Sequence, residues 1–212
     1  MLPIWKQKID ASQDGVMIGL ALLACAIWLS KLWLNDLRNK SSKEDGALPG
    51  ATPCPPAAIW IACLGAVGLL AIEAFGEKVA GLDDKQTTIA WHFISSMIAA
   101  AVLEELVFRG YLVVTGRGNL VLITSAIVFS LLFALAHPYL WAFKINEGLT
   151  INLNSGKAWF TTSFLFIKSL WFYHVRFASW NPRQSLLPSV AAHMVANLAT
   201  YAIKAKQGFI TW

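Results

Sequence analysis

The chain has 212 residues, of which 57% are hydrophobic and only 14% charged, against roughly a quarter charged in an ordinary soluble domain. That balance excludes a water-soluble globule and points to the membrane. The net charge of +5 is scattered over every loop, which excludes a nucleic-acid patch and leaves contact with lipid headgroups as its explanation.

A spanning helix needs about 20 mostly apolar residues, and six segments meet or approach that length. The first, residues 15–34, closes on Trp28, Lys31 and Trp33, the aromatic and basic types expected at a headgroup boundary. It is too long for a signal peptide and lacks a small-x-small cleavage site close behind it. Residues 35–56 are polar, then rich in proline and glycine, and read as a loop. The second segment, 57–75, begins after Pro56 and ends at the charged stretch GEKVAGLDDKQ.

The third segment runs from 88 to 114 and carries AVLEELVFRGYLVV in its second half; GRGN at 116–119 then breaks the chain. The fourth occupies 120–136. Residues 138–156 are too polar and turn-rich to span, and an interfacial or re-entrant loop is expected. The fifth covers 157–178, with Lys168 at its middle facing the bundle or snorkelling. The sixth covers 186–203. The expected fold is therefore all-α: a polytopic transmembrane bundle of about six spans in one integral-membrane domain, 1–212. Positive charges divide at about eight on each side and leave orientation undecided.

Cys25, Cys54 and Cys63 stand far apart and suggest neither a disulfide framework nor a zinc site. Cys25 and Cys63 read as small apolar residues of spanning helices.

Ionisable groups within a bilayer cost about 2.5–3.5 kcal/mol each on insertion scales, so they need partners and mark function. Glu104, Glu105 and Arg109 lie on the third segment, His137 closes the fourth, and His193 and Asn197 lie on the sixth. Glu105 and Arg109 are four apart and form an ion pair on one helix face. Glu104 is turned by about 100 degrees from Glu105, so it is expected to look into the bundle while the pair looks elsewhere. His193 and Asn197 share a stripe, and Phe133 stands one turn before His137 to pack beside the imidazole.

A carboxylate, two imidazoles and an amide meeting in an apolar pocket are sufficient to hydrolyse a peptide bond. Glu104 would act as base for a bound water, His137 would share or orient that water, and His193 with Asn197 would donate to the oxyanion. His92 and His174 read as structural or interfacial, as do Tyr111, Tyr139 and Tyr173.

EELVFR, FALAH and HMVAN, at Glu104 to Arg109, Phe133 to His137 and His193 to Asn197, occur in that order. The chain thus resembles the CPBP family of CAAX-processing and bacteriocin-processing membrane proteases, marked by EExxxR, FxxxH and HxxxN. The resemblance covers about residues 88–203, and no departure appears in the three motifs. It implies an intramembrane glutamic endopeptidase of prokaryotic type, in the cytoplasmic (inner) membrane, acting on a membrane-associated protein or peptide. Leader, CAAX-like and carboxy-terminal sorting-tag processing are the implied reactions. Glu104, His137, His193 and Asn197 match the catalytic positions, and Glu105 with Arg109 match the supporting pair.

No cofactor is expected. A zinc protease holding its metal on Glu104, His137 and His193 is the alternative, although there is no HExxH and Asn197 is a poor zinc ligand. A non-catalytic scaffold joined by its polar groups and a proton-coupled carrier using Glu104 are the readings from other classes.

Overall fold

The computed structural model describes residues 13–39, 47–144 and 148–212. Parts of both expected loops, 40–46 and 145–147, lie outside the described residues. Among the described residues, six α-helices carry the fold: α1 (Gln13–Arg38), α2 (Pro56–Val79), α3 (Phe93–Glu104), α4 (Asn119–Ala136), α5 (Gly156–Phe177) and α6 (Leu187–Lys206). Three of them, α1 over Val16–Arg38, α2 and α4, are long and apolar enough to cross a membrane by themselves. The fold is an all-α membrane bundle.

α2 starts where the sequence suggests, on a proline at its first turn, where a missing N–H costs nothing. Its buried stripe is Ala58, Ala62, Ala66, Leu70, Glu73 and Glu77. The alanine half lets α6 approach closely, because α6 buries Pro188, Ser189, Ala192, His193 and Ala196 on its own inward face. The core between them consists of Ala62, Ala66, Ala192 and Ala196 with Phe172 and Val175 of α5. Trp171 closes it from the side and donates its indole N–H to the Ala62 carbonyl at 3.1 Å. Small residues on α2 and α6 thus bring the inward face of α6 within reach of α5.

α1 packs on α3, and α4 on α5. Cys25 lies on α1 and Cys63 on α2, both as free thiols.

Two segments differ from expectation. The third does not form one regular helix: residues 89–90 are a short strand, β1, paired in parallel with β4 (Ile210–Thr211), and only then does α3 begin. After Glu104 the chain widens into an eight-residue π-helix, Glu105–Leu112, a form that is rare and concentrated at functional sites. The insert at 138–156, expected as a loop, contains an antiparallel hairpin of β2 (Trp141–Lys144) on β3 (Gly148–Ile151). Leu149 and Ile151 alternate outward on β3, a period-two pattern too short to register as a strand beside the turn residues around it.

Candidate active site

The junction of α3 with the π-helix sets Glu104 and Glu105 on either side of the His193 ring. Glu105 accepts from His193 Nδ1 at 2.9 Å, and Glu104 Oε2 stands 3.7 Å from Nε2. The Glu105–Arg109 pair forms as the spacing suggests, at 3.2 Å, but its direction reverses expectation: both side chains are completely buried, whereas the Glu104 side chain is 28% exposed. Arg109 is the reason. Its guanidinium needs donors satisfied inside the bundle, and it donates to Ser169 Oγ at 2.5 Å and to the Ser169 carbonyl at 3.2 Å. It also lies 4.6 Å from the centre of the Phe133 ring, 5.3 Å from Phe172 and 5.0 Å from Tyr173, a cage that favours a cation. The ion pair therefore occupies the interior, and Glu104 faces the opening.

That opening is a pocket of about 200 Å³ lined by Glu104, Phe108, Phe133, Ala136, His137 and Pro138. His137 sits where α4 ends and the backbone turns extended. Its Nδ1 lies 2.8 Å from the Phe133 carbonyl. A carbonyl only accepts, so Nδ1 carries the proton and Nε2 presents a lone pair. Phe133 packs on the same imidazole, ring centres 4.8 Å apart.

His193 stands behind Glu104, stacked on Phe172 at 4.9 Å. Asn197 is one turn further along α6, and its amide donates to the Met97 carbonyl of α3 at 2.8 Å. The structure therefore brings Glu104, His137 and Phe133 to one pocket, with His193 in contact behind them. Asn197 ties α6 to α3. Among the described residues, no group of three His, Cys, Asp or Glu side chains is arranged to hold a metal ion.

Several participants escaped sequence reasoning. Ser169 anchors Arg109 and donates to Ser130 of α4 at 2.9 Å. Tyr173, read as an interface aromatic, donates its hydroxyl to the Phe108 carbonyl at 2.7 Å, inside the π-helix. A serine or tyrosine in an apolar run gives no signal by itself, because such residues are ordinary in spanning helices. Glu73 was overlooked too, and it is the partner of Lys168, at 2.6 Å.

Residues 86–199 match the Type II CAAX prenyl endopeptidase Rce1-like family. The chain belongs to that family. The match spans 114 of 212 residues, more than half the chain, and contains all three motifs. Neither a curated protein nor a solved structure matches the chain. The Rce1-like chain is thus a CAAX-type membrane protease, an integral membrane protein whose substrates are membrane-associated.

Proposed function

We propose that this protein hydrolyses a peptide bond by a metal-independent, glutamate-based mechanism. The observation that supports it is that Glu104 and His137 line one pocket while the neighbouring acid, Glu105, is engaged with Arg109 and His193. Glu104 takes a proton from water as the water oxygen attacks the scissile carbonyl carbon, and the lone pair on His137 Nε2 orients that water. His193, whose Nδ1–H is held by Glu105, donates from Nε2 to the resulting oxyanion when both of its ring nitrogens carry protons. Asn197, which spends one amide hydrogen on Met97, adds the second. When the C–N bond breaks, the proton held by Glu104 passes to the departing amine.

The substrate in this reading is a leader, a CAAX-like terminus or a carboxy-terminal sorting tag of a membrane-associated protein in the prokaryotic cytoplasmic membrane. The test is cleavage of a farnesylated CAAX-box peptide by protein in nanodiscs, followed by mass spectrometry. Protein termini of membranes from cells expressing wild type or Glu104→Gln extend the test to other substrates. Glu104→Gln and His137→Ala are expected to lose about 10²- to 10⁴-fold in rate. Normal turnover by a folded Glu104→Gln variant would defeat the mechanism.

A further inference from the structure

The hairpin of β2 on β3 follows the pocket directly, and the chemistry described so far does not use it. Its register fixes where its backbone groups point. Trp141 stands opposite Ile151 and Ala142 opposite Thr150, and the Asn152 N–H donates to the Leu140 carbonyl at 2.8 Å. In an antiparallel ladder, hydrogen-bonded and non-hydrogen-bonded pairs alternate. The backbone groups of Leu140, Ala142 and Lys144 are therefore turned to β3, and those of Trp141 and Phe143 are turned to the outer edge of β2. Among the described residues no third strand covers that edge, since the other sheet consists of β1 and β4 alone.

Leu140 and Ala142 are buried, whereas Leu149 and Ile151 are exposed. The hairpin thus keeps one face on the protein and offers an apolar face suited to lipid. Trp141 ties its start to the last turn of α4, donating its indole N–H to the Leu135 carbonyl at 2.7 Å, beside the pocket-lining Ala136 and His137. Four residues of chain from His137 to Trp141 span at most about 14 Å. β2 leaves the wall of the pocket, while β3 leads to α5, which contributes no residue to the lining. The open edge of β2 therefore lies on the side of the pocket.

An open sheet edge is not tolerated against hydrocarbon, because nothing there pairs with its N–H and C=O groups. A peptide about to be cut has the same need: presenting its carbonyl carbon for attack takes it out of helical pairing and frees its own backbone groups. The two deficits are complementary. We propose that the substrate docks as an extended strand on the outer edge of β2, pairing with the N–H and C=O groups of Trp141 and Phe143, and runs from there to Glu104 and His137. Affinity then comes from main-chain hydrogen bonds, which are indifferent to side-chain sequence. This inference rests on the reading of that pocket as the place of cleavage.

The test is a scan of a farnesylated CAAX-box peptide, lengthened at its amino terminus, in which one backbone N–H at a time is replaced by an ester oxygen. Cleavage by wild-type protein in nanodiscs is followed by mass spectrometry. A strand turns only every second N–H to its neighbour, so kcat/KM should fall about 3- to 10-fold at alternate positions and stay within about twofold at the residues between them. Affinities for the Glu104→Gln protein, from fluorescence anisotropy of labelled peptides, should show the same alternation without turnover. On the protein, Phe143→Pro removes an edge N–H and leaves the ladder to β3 intact; it should lose about the same factor relative to Phe143→Ala and flatten the alternation.

A profile without alternation, or a folded Phe143→Pro variant equal to Phe143→Ala, would overturn the proposal and leave the edge to lipid headgroups. If Phe143→Pro fails to accumulate, the scan on the wild-type protein decides alone. Undiminished cleavage of the all-amide peptide by Glu104→Gln would instead defeat the catalytic reading, a failure told apart because the alternation is read in the wild type.

Discussion

Removing Arg109 should be among the most damaging single changes available, and removing its partner at the same time should repair much of the damage. The pair is 3.2 Å apart with both side chains completely buried, so at an effective dielectric of 20 its attraction is about 5 kcal/mol. Arg109→Met leaves Glu105 ionised with no counter-charge, and Glu105→Leu strands the guanidinium; each is expected to cost about 3–5 kcal/mol. The double variant Glu105→Leu/Arg109→Met strands no charge. It still deprives His193 Nδ1 of its acceptor and Ser169 of its donor, so it should cost about 1–3 kcal/mol. The assay is reversible unfolding in mixed detergent micelles titrated with dodecyl sulfate, followed by tryptophan fluorescence. A double variant whose cost equals the sum of the single costs to within about 0.5 kcal/mol would refute the argument.

Three further outcomes are expected. Gly65→Ala should cost about 1–3 kcal/mol by overpacking, because a methyl group there runs into the Trp171 ring; a wild-type unfolding midpoint would contradict the close fit. Asn197→Ala removes one hydrogen bond to Met97 and should cost about 0.5–1.5 kcal/mol in stability, while kcat falls by about 10²- to 10³-fold through the oxyanion. Unchanged kcat of the folded fraction would confine Asn197 to its structural tie. Tyr139 has a folded pKa near 12 against about 10 when unfolded, so the folded state holds the phenolic proton more tightly. Its contribution is complete below pH 10 and lost as pH rises towards 12. The stability difference between wild type and Tyr139→Phe should therefore change across that window, and a pH-independent difference would rule this out.

The helix positions were legible because apolar runs of spanning length announce themselves. α4 and α5 begin within a residue of where hydropathy and the flanking GRGN and Lys157 place them. The interruption of the third segment was not legible, since the run 88–114 is mostly apolar throughout and nothing in its period marks a π-helix. The same blindness reversed Glu104 and Glu105. Spacing indicated that one acid pairs with Arg109 and the other does not, but which of them faces the interior depends on Ser169 and three aromatic rings, from α4 and α5. Lys168 was visible as a mid-helix charge, while its partner Glu73 is 95 residues away, a pairing that no local pattern encodes. The motifs carried the family because their side chains stand at helical spacing and are local; the groups that pack around them are not.

The central claim, that Glu104 activates water without a metal, is tested most directly by one comparison. Wild type and Glu104→Gln are reconstituted in nanodiscs, stripped with a chelator or loaded with zinc, and the cleavage of the farnesylated peptide is followed by mass spectrometry. The account predicts cleavage by the wild type that survives chelation and disappears with Glu104→Gln. Cleavage that chelation abolishes and zinc restores, or that persists in the Glu104→Gln variant, would contradict it.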